Sequence, residues 1–424
     1  MSKIQQVKGT REFYPEEMAL RNFIYEKVRA ASQSFGYQEW DAPFIETIDL
    51  YAAKSGEELV KKQSFTFADR SGDLVTLRPE LTPSLARMIA AKQGELTFPV
   101  RWWSFGPIWR YEQPQKGRSR EFFQWNIDLL GADSPETDAE LIAVAATFLR
   151  SVGLDPARAT VSVNNRKLMD SRFDALGIAP EKRVEVSNFV DRRSKMEPAK
   201  WDAYALEIGL TETQLDGLKS LLGNLDLWKE SEELVRLFAA LEALGVKEYV
   251  KFDPSIMRGL LYYTSTVFEA FDTSGSVKRS ILGGGRYDNL LADVGGQPLP
   301  ATGFAMGDVV VGIVLRENGL VPEFNPSPAP VLVTVFDQSL WLASNALAAE
   351  LRCAGLNVTV YPEPAKLQKQ FKFADKMKMK VAVTIGPDEA ANGQVAVKNL
   401  LNGEQVIVPR AAAAEKIREL LKNA

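Results

Sequence analysis

The chain has 424 residues, of which 46% are hydrophobic and 25% charged, the texture of a globular protein of two or three domains rather than a disordered or fibrous one. Its 51 basic and 55 acidic residues leave a formal net charge of −4, so any nucleic-acid contact has to come from a local basic patch. It has a single cysteine, Cys353, and no histidine, which excludes an internal disulfide framework, a cysteine metal cluster and every mechanism run by a histidine side chain.

Residues 15 to 35 predict an amphipathic helix, with Pro15 near its start and Gly36 just past its end. Short extended runs follow: YQEWDAPFIE, QSFTFAD and DLVTLRPE, the last two joined by a turn at Arg70–Asp73. TPSLARMIAAKQ predicts a helix. VRWWSFGPIWRYE and REFFQWNIDLLG predict two strands around a basic loop from Gln113 to Ser119. TDAELIAVAATFLRSVG predicts a helix and ATVSVNN a strand. Residues 166–247 are helical and charged and read as an insertion. Strand-and-turn texture returns in EYVKFD, LLYYTSTVFEAF, SILGGGRYDNLL and ATGFAMGD. A stretch with four prolines, 318–330, reads as a linker. Beyond it PVLVTVF, NVTVYP and KVAVTIG alternate with helical segments, the pattern of a small α/β domain. The N-terminus has no apolar signal core and no run reaches the ~18 apolar residues of a membrane span, so a cytoplasmic protein without membrane contact is expected.

Four segments combine arginine with a carboxylate or tyrosine in a β context. In WRYEQPQKGRSREFFQWNID, period two predicts Arg110 and Glu112 on one strand face and Gln124 and Asp128 on one face of the next, with Arg118 and Arg120 closing the loop. LRPELTP carries Arg78, Glu80 and Thr82 at the same spacing. RGLLYY carries Arg258, and GGGRYD sets three glycines before Arg286, Tyr287 and Asp288. Alternating Arg and Glu also describes a solvated sheet face, and a glycine triplet more often marks a turn. Together the four suggest one convergent polar site: guanidinium groups suit phosphate, and carboxylates with tyrosines suit an ammonium or imidazole.

On these residues the chain resembles the histidyl-tRNA synthetase family of class II aminoacyl-tRNA synthetases. KGTREFYP is similar to its N-terminal signature, the stretch ending at Pro43 to motif 1, WRYEQPQKGRSREFFQ to motif 2, RGLLYYTSTVFEAF and GGGRYDNL to its histidine signatures, and ATGFAMGD to motif 3. KLQKQFKFADK and VAVKNL are similar to its anticodon-binding domain.

The resemblance implies an α+β fold: an antiparallel sheet with flanking helices and a helical insertion in residues 1–325, then an α/β anticodon-binding domain in 331–424. It implies activation of L-histidine by ATP, with Mg²⁺ bound to the nucleotide, transfer to tRNA(His), and a homodimer. It assigns Arg110 and Arg258 to catalysis, and Arg110, Glu112 and Arg118 to ATP. Glu80, Thr82, Gln124, Asp128, Tyr263 and Tyr287 fall to histidine, and Gln113, Gln115 and Lys116 to the tRNA end. A family that needs only positioning and charge neutralisation for carboxylate attack on phosphorus can work without a histidine of its own, and such a chain can be translated when charged histidine tRNA is scarce.

Three departures stand out. Val310 occupies a position where the family often has an arginine, which fits either a subgroup in which another cation substitutes or a loss of activity. Leu261 and Ser265 are bulkier than usual, and Gln113 replaces a frequent arginine. The changed motif 3 also fits a histidine-sensing regulatory subunit of ATP phosphoribosyltransferase; the complete motif 2 and the C-terminal domain argue against that alternative. The lysine run Lys366, Lys369, Lys372, Lys376, Lys378 and Lys380 reads as a solvated helix face or as a tRNA stem contact.

Overall fold

The computed structural model describes residues 4–52, 63–257, 263–275, 277, 279–289 and 291–422. They form two compact units, one ending at Pro322 and one beginning at Glu323.

The first unit starts with helix α1 (Pro15–Ser34). Pro15 fits its first turn, Glu16 and Glu17 face the positive end of the helix, and Gly36 takes φ +80° just beyond it. Strands β1 (Gln38–Glu39) and β2 (Ile45–Thr47) and helix α2 (Ile48–Ala52) follow. Next come β3 (Phe65–Ala68), β4 (Leu74–Leu77) and helix α3 (Thr82–Lys92). The β3–β4 turn is held by Asp69, whose Oδ1 accepts from Ser71 N and Asp73 N, with Gly72 at φ +91°. Then come β5 (Val100–Trp109), β6 (Glu121–Leu130), α4 (Pro135–Ser151) and β7 (Ala159–Asn165).

The segment read as an insertion carries α5 (Arg166–Ala175), α6 (Arg183–Asp191), α7 (Pro198–Glu207), α8 (Glu212–Gly223) and α9 (Glu232–Ala243). Its apolar residues Phe173, Leu218, Leu237 and Leu241 share one core with Leu141, Ala145 and Phe148 of α4. Strands β8 (Val250–Phe252), β9 (Thr266–Asp272), β10 (Leu282–Arg286) and β11 (Ala301–Gly307) and helix α10 (Asp308–Glu317) complete the unit.

The main sheet runs β1-β5-β6-β11-β10-β9-β7-β8. Its six central strands pair antiparallel, and the short edge strands β1 and β8 pair parallel to β5 and β7. Period two divides its faces. Trp103, Trp125, Ile127, Leu129, Phe268, Leu282, Phe304 and Met306 point to one side and join α1 and α4 in the core. On the other side stand Gly106, Gln124, Asn126, Asp128, Gly303, Gly307, Gly283 and Gly285, paired in register across β5, β6, β11 and β10. The glycine triplet of GGGRYD is thus buried strand β10, not a turn: Gly284 lies on the core face, where a Cβ would sit 2.1 Å from Gly303 O.

The second unit holds β12 (Val331–Val333), α11 (Trp341–Cys353), β13 (Val358–Val360), α12 (Leu367–Lys376), β14 (Val381–Thr384), α13 (Pro387–Ala391), β15 (Gln394–Asn399), β16 (Gln405–Pro409) and α14 (Ala413–Lys422). Its sheet runs β13-β12-β14-β15-β16, parallel across the first three strands and antiparallel beyond. Val331, Val333, Leu347, Leu351, Val381, Val397 and Ile417 form its core. No helix among the described residues is long and apolar enough to cross a membrane.

Candidate active site

The small-residue face of the main sheet forms the floor of the site. Gly303 lies opposite Asp128, and a Cβ there would sit 2.1 Å from Asp128 Oδ1, so only glycine leaves room for that carboxylate. Asp128 is buried, and Oδ1 accepts a hydrogen bond from the buried Tyr287 hydroxyl. Oδ2 has no hydrogen-bond partner among the described residues, and neither do Gln124 Oε1 and Asn126 Oδ1 on the same face. Burial pushes the Asp128 carboxyl up from 3.8 to about 7, against the stabilising bond from Tyr287. Tyr263 is buried in the same apolar cluster as Tyr287, Leu81 and Leu85, its ring against Gly285. A row of buried acceptors without donors is the complement of a small ligand rich in N–H groups.

The predicted strand faces need correction at two points. Strand β5 ends at Trp109, so Arg110 and Glu112 do not share a strand face. Arg110 N still bonds Arg120 O, but Glu112 N turns back onto Arg110 O (2.7 Å), bending the chain. Arg110 Nε donates to Pro79 O at 2.8 Å, and among the described residues its terminal nitrogens have no hydrogen-bond partner. Glu112 faces Arg118 Nη1 at 2.9 Å. Likewise β4 ends at Leu77: Arg78, Glu80 and Thr82 leave the strand, and Thr82 opens helix α3.

Two arginines of the four segments are structural. Arg78 is fully buried and donates to Asp41 (2.6 Å), Ala42 O (2.8 Å) and Pro107 O (2.9 Å). Arg286 bonds Asp138 (2.8 Å), Thr137 Oγ1 (2.8 Å), Ser134 O (3.0 Å) and Ala132 O (3.1 Å), tying β10 to the first turn of α4. Arg286 spends all three guanidinium nitrogens on protein acceptors, whereas Arg78 Nη2 is buried against Gly106 with no hydrogen-bond partner among the described residues. Ser265 is also buried, its Oγ accepting from Thr266 N. Arg258 and Leu261 lie outside the described residues.

The basic loop stands at the rim. Gln113, Gln115 and Lys116 are exposed, Gln115 and Arg118 close a turn on each other's backbone, and Lys116 Nζ pairs with Glu317 at 2.9 Å. The N-terminal signature braces this loop: Gly9 O accepts from Arg120 N (2.7 Å), and Arg11 pairs with Asp308 (2.9 Å) at the start of α10. Asp308 also accepts from Phe123 N at 2.9 Å, and burial raises its pKa.

Sequence reasoning missed Asn126 and Glu269, which stand on the site face through Gly283 and Ala305, and it missed Arg279 beside the loop. Alternation in QWNID and TVFEAFD contained the first two.

The family model for histidyl-tRNA synthetase matches residues 9–308, and that for the anticodon-binding domain matches 330–420. Histidine–tRNA ligase of Leptospira biflexa is 35% identical, with 98% of each chain covered; that of Thermoplasma volcanium is 38% identical, with 96% of each covered. The crystal structure of histidyl-tRNA synthetase from Nostoc is 27% identical with a TM-score of 0.85, covering 99% of this chain and 100% of its own. These likenesses run through both units, through the strand that carries Gln124 and Asp128 and the segment that carries Tyr287, and the chain belongs to the histidyl-tRNA synthetase family.

Proposed function

We infer that this chain is a histidine–tRNA ligase that uses ATP to activate L-histidine and then charges tRNA(His). The observation that carries the amino-acid assignment is the buried Asp128, with one carboxylate oxygen on Tyr287 and the other without a partner among the described residues, on a glycine-floored sheet face. A neutral imidazole offers an N–H of the right size to that oxygen.

In this reading a histidine carboxylate oxygen attacks the α-phosphorus of ATP, the bond to the β-phosphate oxygen breaks, and pyrophosphate leaves. A ribose hydroxyl at the tRNA end then attacks the mixed anhydride and releases AMP. Arg110, held by Pro79 O and with no hydrogen-bond partner for its terminal nitrogens among the described residues, neutralises the α-phosphate and aligns the carboxylate. Glu112 accepts from the adenine amino group, and Arg118 reaches the pyrophosphate end. Glu80 and Thr82 hold the histidine ammonium; Gln124, Asp128, Tyr263 and Tyr287 line the ring pocket. Arg258 is proposed as the second catalytic cation from its signature alone. Mg²⁺ arrives with ATP as part of the substrate; among the described residues no group of three or more carboxylates or cysteines is gathered for a resident ion.

The exposed Gln113, Gln115 and Lys116 are proposed to meet the tRNA end, and the exposed lysines of α12 its anticodon stem. Phe373 packs edge-on to Tyr361 and serves the helix rather than a base. The exposed Phe44, Ile45, Phe67 and Leu74 favour burial in a homodimer, and the reading includes a cytoplasmic location. A regulatory-subunit role is disfavoured by full-length ligase relatives.

The test is histidine-dependent exchange of labelled pyrophosphate into ATP, followed by charging of tRNA(His). Histidine binding without exchange would overturn the ligase reading. Arg258→Ala should lower exchange by several orders of magnitude in a folded protein; near-normal exchange would remove Arg258 from the catalytic set.

A further inference from the structure

Arg279 belongs to none of the segments used above, yet its side chain lies against the basic loop. Gly117, the tip of that loop, has φ +80°, and a Cβ there would sit 3.0 Å from Arg279 Cδ, 3.6 Å from its Nε and 3.7 Å from Val310 Cγ2. Strand β10 begins three residues later, and Val310 belongs to the first turn of α10. Arg279 thus fills the gap between the loop and that turn, which holds an aliphatic side chain.

Arg279 is half-buried, and among the described residues no carboxylate forms an ion pair with it. Glu112, the acid that acts on it, is taken by Arg118 at 2.9 Å. Burial and the neighbouring Arg118 both lower the pKa of Arg279. Two guanidinium groups held beside one loop with a single carboxylate between them carry surplus positive charge, and the chemistry that stabilises it is a multiply charged anion. Gly117 matters for the same reason: any side chain would push into Arg279, whereas glycine lets loop backbone and guanidinium approach the anion together.

We propose that Arg279 is a binding residue for the polyphosphate tail of ATP, gripping the β- and γ-phosphates with Arg118 and supplying the cation that Val310 cannot. This rests on the ligase reading, in which Arg118 reaches the pyrophosphate end. No bond to Arg279 is made or broken; its charge holds the leaving group.

The experiment uses the full chain and the variants Arg279→Gln, Arg279→Lys and Arg279→Gln with Val310→Arg. ATP and a non-hydrolysable histidyl-adenylate analogue are titrated by calorimetry, and exchange kinetics give separate KM values for ATP and histidine. Arg279→Gln should weaken ATP binding about tenfold or more, leave the analogue unchanged because it lacks the β- and γ-phosphates, and leave the histidine KM unchanged. Arg279→Lys should fall between Gln and wild type, and Val310→Arg should recover part of the loss. Unchanged ATP affinity in Arg279→Gln overturns the assignment. Equal weakening of ATP and the analogue also overturns it, because that marks a structural residue. Wild type that binds ATP without histidine-dependent exchange sinks the ligase reading alone, and the ATP titrations still decide Arg279. Wild type that does not bind ATP overturns both.

Discussion

The Tyr287 hydroxyl, on the segment after β10, donates to Asp128 Oδ1 on β6, across the strand β11 that separates them. Gly303 of β11 makes that reach free of obstruction. The bond fixes one oxygen of the carboxylate, the other has no hydrogen-bond partner among the described residues, and burial holds the pKa near 7 rather than at 3.8.

A carboxyl whose folded pKa lies above its unfolded value favours the fold only while protonated. That contribution is complete below about 3.8 and is lost as pH rises through about 7. The displacement corresponds to at most ~4 kcal/mol. Asp128→Asn keeps an acceptor for Tyr287 and removes the titration. The ligand-free wild type should therefore lose stability relative to Asp128→Asn between pH 4 and 8. Parallel melting curves across that range would show that Asp128 does not titrate as described.

Gly303→Ala sets a methyl 2.1 Å from Asp128 Oδ1 and 2.8 Å from Ile127 O. The backbone oxygen cannot swing aside, so the side chain and strand must shift. We expect a loss of about 1–3 kcal/mol in denaturant unfolding and a raised histidine KM with little change in the ATP KM. An unaltered histidine KM in the folded variant would separate Asp128 from histidine binding.

Arg286→Ala should cost about 3–5 kcal/mol, because it strands the buried Asp138 without its partner. Replacing both residues with apolar ones of similar size should recover much of that loss. The ATP and histidine KM values of the surviving folded enzyme should stay near wild type; a selective rise in either would return Arg286 to the site.

A chain ending at Pro322 keeps the main sheet and its own core, since the cores of the second unit are built from later residues. It should retain much of the pyrophosphate exchange and lose most tRNA charging. Melting curves of both lengths must accompany the assays. Equal loss of the two activities in a folded short chain would deny the second unit a specific part in tRNA.

Much of this was legible from spacing. Alternation in REFFQWNIDLL placed Gln124 and Asp128 on one face and Trp125, Ile127 and Leu129 on the other, because a strand's pleat allows nothing else. Pro15, Gly36 and Gly72 marked their helix start, helix end and turn through their own backbone restrictions. The same local logic failed at Arg110, Glu112 and Thr82, where strands ended a residue or more early because the chain turned toward its neighbours.

The residue types of this chain determined its chemistry: without histidine it had to work with guanidinium groups, carboxylates and phenols, and the spacing of its motifs carried the family resemblance. Which arginines remain for a ligand was decided by the tertiary structure alone. Arg78, Arg110, Arg118, Arg279 and Arg286 are alike as sequence, but burial against Asp41 and Asp138 turns Arg78 and Arg286 into struts. Loop and strand ends distant in sequence hold Arg110 on Pro79 O, pair Arg118 with Glu112 and set Arg279 beside Gly117. Pleat and turn preferences act over a few residues, whereas desolvation and charge pairing depend on whatever segment folds alongside.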